Sequence, residues 1–173
     1  DGELQMKFNF DWNLRKWQAI LWIVIGQRTR AITIFQDMLQ VYPHDSYALG
    51  SLAHLKAELG DKQGAIAVYE VLVKQAEAPA YAWFNLGFLH QELEHPLGAE
   101  TAFRRALALN DQLDQAWYGL GLALIQQGRL DEAVALLRSE QGWAFQGEPY
   151  GDGMWTFTRG HGSWGARLYL CAP

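Results

Sequence analysis

A period of 34 residues runs through most of this sequence and constrains its fold more than any other feature. An alanine recurs at Ala31, Ala65, Ala99 and Ala133 with no insertion or deletion between them. Units that begin at residues 12, 46, 80 and 114 place these alanines in column twenty of the unit. Such a unit is too long for one helix and fits two helices of about 12–14 residues joined by short turns. The sequence therefore predicts a stack of helix pairs.

Small residues indicate that the first helix of each unit (helix A) crosses the second (helix B) at close range. A glycine inside a helix costs about 1 kcal/mol relative to alanine, so we expect Gly87 and Gly121 to permit this approach. Bulky residues follow in a ring column, and a turn column is rich in glycine, as is typical after a helix. Column eight holds Ala19, Ala53, Gly87 and Gly121; the ring column, twenty-four, holds Phe35, Tyr69, Phe103 and Leu137; the turn column holds Gly26, Gly60, Glu94 and Gly128.

The columns resemble the tetratricopeptide repeat family, whose units carry Trp-Leu-Gly-Tyr in helix A, Ala-Phe-Ala in helix B and Pro between units. The resemblance implies an all-α fold, a right-handed superhelical solenoid of antiparallel helix pairs over residues 12–140. An N-terminal extension, residues 1–11, would precede it, and an irregular Gly/Trp-rich tail, residues 141–173, would follow. Packing residues define the family, so the resemblance is specific for fold rather than for function. The third unit matches best, with Trp83, Leu86, Gly87, Ala99, Phe103 and Ala106.

The tail departs from the period. A fifth unit would begin at Glu148, but residues 141–173 are rich in Gly and Trp and lack a 3.6-residue pattern. Two pieces, MWTFT and ARLYL, have the composition of strands. Three interpretations stay open: an aromatic lid, a disordered or strand-exchanged segment, or an end that is not an evolved segment.

Composition and motifs argue against several functions. The net charge of −5 provides no basic stripe for nucleic acid. The apolar run AILWIVIG is too short to span a membrane, and no signal peptide is recognised, so we expect a cytoplasmic protein. The histidines and Cys171 lack metal-ligand spacing, and GHGSWG lacks the helix of a dinucleotide site. We therefore predict no enzyme, no catalytic residue, no cofactor and no metal.

A concave groove is the binding surface that the resemblance implies, and helix A of each unit would line it. Aromatic side chains there offer a large contact area at a small cost in entropy. We therefore predict a non-enzymatic adaptor or scaffold that binds an unidentified peptide or protein. The first alternative is a self-assembling module joined through its uncapped C-terminal end or tail, and the second is a ligand-binding or enzymatic tail. The predicted peptide-binding residues are Lys16, Tyr47, His54, Tyr81, Phe84, Asn85, Phe88 and Tyr118.

One specialisation of the family is disfavoured. Members that bind the terminal carboxylate of chaperones carry several basic residues in the groove, and Lys16 fills only one such place. His54, Gln115 and Gly119 stand at other places and provide no fixed positive charge at neutral pH. We therefore do not expect docking of a chaperone tail.

Overall fold

The computed structural model describes the backbone of residues 2–139, 143–145, 154–159 and 162–169, and the side chains of residues 10–136. Within these residues, eight helices precede three strands. Consecutive helices pack against each other, so the pairs α1/α2, α3/α4, α5/α6 and α7/α8 form a stack. The elements are α1 (Gly2–Val24), α2 (Arg28–Val41), α3 (Ser46–Glu58), α4 (Lys62–Val73), α5 (Ala80–Glu92), α6 (Pro96–Leu109), α7 (Asp114–Gln126), α8 (Leu130–Ser139), β1 (Trp143–Phe145), β2 (Met154–Arg159) and β3 (Gly162–Tyr169).

The helices repeat with the period found in the sequence. Helix A of units two, three and four is α3, α5 and α7, and each of these begins 34 residues after the one before. Helix B of the four units is α2, α4, α6 and α8, with the same interval between starts. The predicted helical solenoid of paired helices is therefore confirmed, and the unit starts at 46, 80 and 114 coincide with helix starts.

The close crossing of helices A and B is best seen around Phe103, whose ring is 1% exposed. A Cβ atom added to Gly87, in the same unit, would lie 2.9 Å from that ring. A Cβ atom added to Gly119, in the next unit, would lie 2.5 Å from it. The two glycines therefore admit the ring between α5 and α7, and any larger residue would push it out. The alanines of column twenty are also fully enclosed, with exposures of 0% to 1%.

The turns between helices A and B share one backbone conformation. The four turn-column residues all have a positive φ angle: 85° at Gly26, 87° at Gly60, 56° at Glu94 and 75° at Gly128. This left-handed conformation ends helix A and lets the chain reverse into helix B. Pro96 then occupies the first turn of α6, where its missing N–H group is not needed.

The first helix is longer than the repeat requires. Helix α1 begins at Gly2, so the predicted N-terminal extension, residues 1–11, is helical from that residue and continues into helix A of the first unit. No proline or glycine interrupts the sequence between Glu3 and Val24, so nothing in it stops the helix.

The tail contains an antiparallel sheet in the order β1-β2-β3. Phe145 lies opposite Phe157, and Thr156 lies opposite Arg167. Strand β2 contains the piece MWTFT and β3 overlaps the piece ARLYL, whereas β1 was not anticipated. Strand β1 contacts α8. The side chains that would form a lid lie outside the described residues, so the three interpretations of the tail stay predictions.

Candidate functional site

The predicted binding residues all lie on A helices, but they do not form a single cluster. Lys16 on α1 contacts Tyr47 on α3, and four residues share α5. His54 on α3 contacts Glu58 at the end of its own helix.

The exposed aromatic surface is concentrated on α5. Tyr81, Phe84 and Phe88 are spaced by three and four residues, so they project from one side of the helix. Tyr81 is 45% exposed and Phe88 is 50% exposed, whereas Phe84 between them is half-buried. We call these three residues the α5 aromatic face. Tyr81 and Phe88 are accessible at its two ends, and Phe84 at its centre is less exposed.

Gly50 lies against Tyr81 at one end of this face, a contact that was not predicted from the sequence. A Cβ atom added to Gly50 would lie 2.7 Å from the hydroxyl oxygen of Tyr81. Because Gly50 on α3 has no side chain, the Tyr81 ring from α5 can occupy the space beside it. A glycine inside helix A of the second unit, with an aromatic residue in the first turn of helix A of the next unit, is the sequence signal that could have revealed this contact.

The centre of the face is fixed by the buried core. The rings of Phe84 and Phe103 are tilted, with centroids 6.0 Å apart. The side-chain amide of Asn85 donates a hydrogen bond of 2.9 Å to the hydroxyl of Tyr69, which is 2% exposed. Both residues therefore contribute to the packing of the repeat as well as to its surface. Asn85 was predicted to contact a peptide backbone, and its orientation is set by Tyr69.

Tyr118 lies on α7, a helix that contacts α5. Its ring is half-buried, and this burial raises the pKa of its hydroxyl. Burial also raises the pKa of Tyr81, and the negative charge of Asp45 adds to the effect. Both hydroxyls therefore stay protonated and uncharged at neutral pH. That Tyr118 shares one surface with the α5 aromatic face stays a prediction.

A second group surrounds Lys16. Its ammonium nitrogen lies 4.3 Å from the centroid of Tyr47 and 5.1 Å from the centroid of Trp12. The two rings meet edge to face, 6.1 Å apart, and the Trp12 indole N–H donates a 2.7 Å hydrogen bond to Asp45. Cation–π contacts of this kind hold the lysine between α1 and α3. Trp12 was not among the predicted residues; its place four residues before Lys16 was the available signal.

His54 lies beside an ion pair on the surface. Its Nε2 atom lies 3.4 Å from a carboxylate oxygen of Glu58, and the other oxygen accepts a 2.9 Å hydrogen bond from Arg28. The side chain of His54 is 64% exposed. A role for His54 in peptide binding stays a prediction.

The described residues contain no metal-ligand cluster and no membrane-spanning helix. Among them, no three His, Cys, Asp or Glu side chains gather in a way that could hold a metal ion. None of the described helices combines the length and apolar character needed to cross a membrane. The A-helix surface remains the candidate site.

Comparison with known families identifies the repeat. The profile described as tetratricopeptide repeat matches residues 24–82 and 84–145, which together make up more than half of the chain. The chain belongs to the tetratricopeptide repeat family. No curated protein matches it significantly in sequence. The solenoid that the resemblance implied is therefore the fold of its family, and tetratricopeptide domains generally act in protein–protein interaction.

Solved tetratricopeptide structures share this fold at low sequence identity. A crystal structure of MamA is 25% identical, with a TM-score of 0.65, and the match covers 69% of this chain and 70% of that one. YrrB, described as a TPR protein with an unusual peptide-binding site, is 22% identical, with a TM-score of 0.64 and coverages of 69% and 62%. A tetratricopeptide repeat protein from Parabacteroides merdae is 21% identical, with a TM-score of 0.64 and coverages of 73% and 49%. The chain thus spans less than two thirds of YrrB and about half of the P. merdae chain.

Proposed function

We propose that this tetratricopeptide domain is a non-enzymatic adaptor that binds an extended peptide segment along its A helices. The observation that carries the proposal is the α5 aromatic face, where Tyr81 and Phe88 stay about half exposed although Phe84 between them is anchored. Rigid, partly exposed rings bind partners at a low cost in entropy because they are already ordered.

The chemistry of this surface favours a peptide with apolar side chains. The hydroxyls of Tyr81 and Tyr118 are neutral, and they can donate hydrogen bonds to peptide carbonyl groups. Asn85 presents an amide oriented by Tyr69, which suits a hydrogen bond to an extended backbone. Lys16 is already held between two aromatic rings, so we do not expect a carboxylate to dominate recognition.

Two comparisons with known proteins are consistent with this proposal. The family profile places the chain among interaction repeats, and YrrB, which shares the fold, is described as having a peptide-binding site. Assembly through the C-terminal end stays a prediction, because the side chains of residues 141–173 lie outside the described set. The cytoplasmic location and the absence of enzymatic activity also stay predictions.

The proposal can be tested with an array of short synthetic peptides of graded apolar content. The wild-type chain should select peptides rich in Leu, Phe and Tyr, and the affinity for a selected peptide is then measured by fluorescence anisotropy. Phe88→Ala and Tyr118→Ala should each weaken this binding by about 30-fold, since an aromatic anchor contributes about 2 kcal/mol.

Leu97→Ala is the matched control. Leu97 lies on α6, a B helix, and is 69% exposed, so its truncation removes a similar apolar group from another surface. It should leave the affinity unchanged. Equal binding by wild type, Phe88→Ala and Tyr118→Ala, with all three folded by circular dichroism, would reject the A-helix surface as the binding site.

A further inference from the structure

Two histidines face each other across the turn between α5 and α6. Their ring centroids lie 6.0 Å apart, and the ring planes are inclined by 47°. The backbone N–H of His95 donates a 2.8 Å hydrogen bond to the carbonyl oxygen of His90. The backbone that ends α5 therefore holds the two side chains at this short separation. We call His90 and His95 the histidine pair.

The ring of His90 lies against the first turn of α6. A Cβ atom added to Gly98 would lie 2.9 Å from the Cγ and Nδ1 atoms of this ring. The Nδ1 atom is enclosed, and no described residue forms a hydrogen bond with it. In neutral histidine one ring nitrogen carries no proton, whereas both nitrogens of the protonated ring are donors. The enclosed Nδ1 atom therefore suits the neutral ring, because a donor there would have no acceptor.

The second unit fills the same place with an ion pair. Columns eleven and sixteen hold Lys56 and Asp61 there, and the ammonium nitrogen lies 2.6 Å from a carboxylate oxygen. Asp61 also accepts a 2.9 Å hydrogen bond from the backbone N–H of Gly64, and this bond caps α4. Gly64 and Gly98 both occupy column nineteen. The two turns therefore match in this glycine and differ in the side chains that cross them.

The histidine pair has no acid in column sixteen. His95 stands where the second unit has Asp61, and its side chain makes no capping hydrogen bond to α6. Histidine is the side chain that ordinarily changes its charge between about pH 5 and about pH 8. When both rings are protonated, two positive charges therefore lie where the second unit has one charge of each sign.

Burial and charge both oppose a proton on His90. Burial lowers the pKa of its ring, the positive charge of His95 lowers this pKa further, and the carboxylate of Glu70 on α4 acts in the opposite direction. The unfolded chain therefore binds this proton more readily than the folded chain does. Acid consequently favours states in which the ring is released from its site.

Charged groups on the other elements around the turn do not supply the missing acid. Two acidic residues, one on α5 and one on α6, are engaged in ion pairs. These pairs are Glu92 with Lys62 at 3.3 Å and Glu100 with Arg129 at 2.7 Å. Glu94 is exposed in the turn itself and is not among the groups that shift the pKa of His90. The charged residue of α7, Asp114, lies in the first turn of that helix.

We propose that the histidine pair is a pH-sensitive switch, which opens the α5/α6 turn when both rings are protonated. Opening separates the two positive charges and gives the Nδ1 atom of His90 access to water. The switch lies two residues after Phe88, so its opening reaches the end of the helix that carries the α5 aromatic face. The proposal does not depend on peptide binding.

Amide hydrogen exchange of the full chain, read by mass spectrometry at about pH 7.5 and about pH 5.5, tests the proposal on both sides of the histidine range. Rates are corrected for the effect of pH on intrinsic exchange. Segment 88–98 should open at least about fivefold more in acid, the effect of one unpaired buried donor. The equivalent segment of the second unit, 54–64, should keep its protection. Hydrogen bonds from Lys56 and Gly64 lower the pKa of Asp61, so its ion pair persists in acid.

Transfer of the ion pair from the second unit should remove the response. The double variant His90→Lys, His95→Asp restores one charge of each sign, and the glycine in column nineteen leaves the same room as in the second unit. Its segment 88–98 should be equally protected at both pH values. His95→Asp alone gives the protonated ring of His90 an acidic partner and should also reduce opening in acid. His44→Gln, which removes an exposed histidine from another turn, is the matched control and should respond like the wild type.

Circular dichroism at neutral pH verifies that each variant is folded, and His95→Asp decides the outcome if the double variant is not. Unchanged protection of segment 88–98 in the wild type would overturn the proposal. Equal opening of segments 54–64 and 88–98 would also overturn it, because the whole stack would then be loosening. A folded variant of the pair that opens in acid as much as the wild type would assign the response to other groups. None of these measurements involves a peptide, so failure here is separate from failure of the proposed function.

Discussion

Glu94 is the one turn-column residue that is not a glycine, and replacing it should stabilise the protein. Its φ angle is 56°, in the left-handed region, whereas the three equivalent residues are glycines with φ angles between 75° and 87°. A residue with a Cβ atom pays roughly 1–2 kcal/mol for this conformation. Glycine avoids that cost but loses about 0.5–1 kcal/mol through the greater freedom of the unfolded chain. We therefore expect Glu94→Gly to raise the free energy of unfolding by about 0.5–1 kcal/mol.

Two details of the turn support this direction. The backbone N–H groups of Glu94 and His95 donate to the carbonyl groups of Gln91 and His90, at 3.1 Å and 2.8 Å, and glycine preserves both bonds. The exposed carboxylate also sits beyond the C-terminus of α5, where the helix dipole disfavours negative charge. Its removal therefore adds a small stabilising contribution.

The assay is urea unfolding followed by far-ultraviolet circular dichroism, with thermal unfolding as a second measurement. For a chain of this size, a gain of 1 kcal/mol corresponds to a rise in Tm of about 2–4 °C. Glu94→Ala separates the two causes, because it removes the charge and retains the Cβ atom; it should stabilise less than glycine does.

Gly60→Glu is the converse control. Gly60 has a φ angle of 87° at the equivalent turn, and no atom lies within 4 Å of a Cβ atom placed there. Its substitution should cost about 1 kcal/mol from backbone conformation alone. If Glu94→Gly is no more stable than Glu94→Ala, or if Gly60→Glu is tolerated without loss, the turn conformation does not limit stability as argued.

Further substitutions test the packing and the protonation of the repeats. Ala99→Leu should destabilise by about 1–3 kcal/mol through overpacking of the helix A/helix B contact, and an unchanged urea midpoint would contradict the assigned crossing. Phe84→Ala should cost about 1–2 kcal/mol, less than a fully buried ring but more than Phe88→Ala; equal losses in urea unfolding would mean that Phe84 is not anchored. Burial and neighbouring His95 lower the pKa of His90, so the unfolded chain takes up its proton first and stability should fall as the pH drops below about 6.5. His90→Gln should flatten that pH dependence of the unfolding free energy, and an unchanged slope would assign it to other groups.

Most of the fold could be predicted from the 34-residue period and its columns. Small residues in columns eight and twenty and bulky residues in column twenty-four recur every 34 residues, so the sequence alone determined the number of helix pairs and the starts of the last three. This succeeds because helix A and helix B of a unit are close in the chain, and local spacing decides which side of each helix is buried. The N-terminal extension was not anticipated as part of α1, because a repeat pattern says nothing about residues that precede its first unit.

The candidate site depended more on contacts between units. The sequence placed aromatic residues on the A helices, but only the tertiary structure distinguished Phe84, packed on Phe103, from half-exposed Phe88. It also revealed that Gly50, which has no side chain, makes room for Tyr81, and that His54 contacts Glu58.

Columns three and ten show the same division. Their residues share a side of helix A in every unit, yet they are buried in units two to four and exposed at Leu14 and Leu21 in the first. The sequence by itself determined which residues share a side of a helix, because helical geometry is local. Whether that side meets a neighbour or solvent was decided by the stacking of units, because the covering residues come from another helix pair.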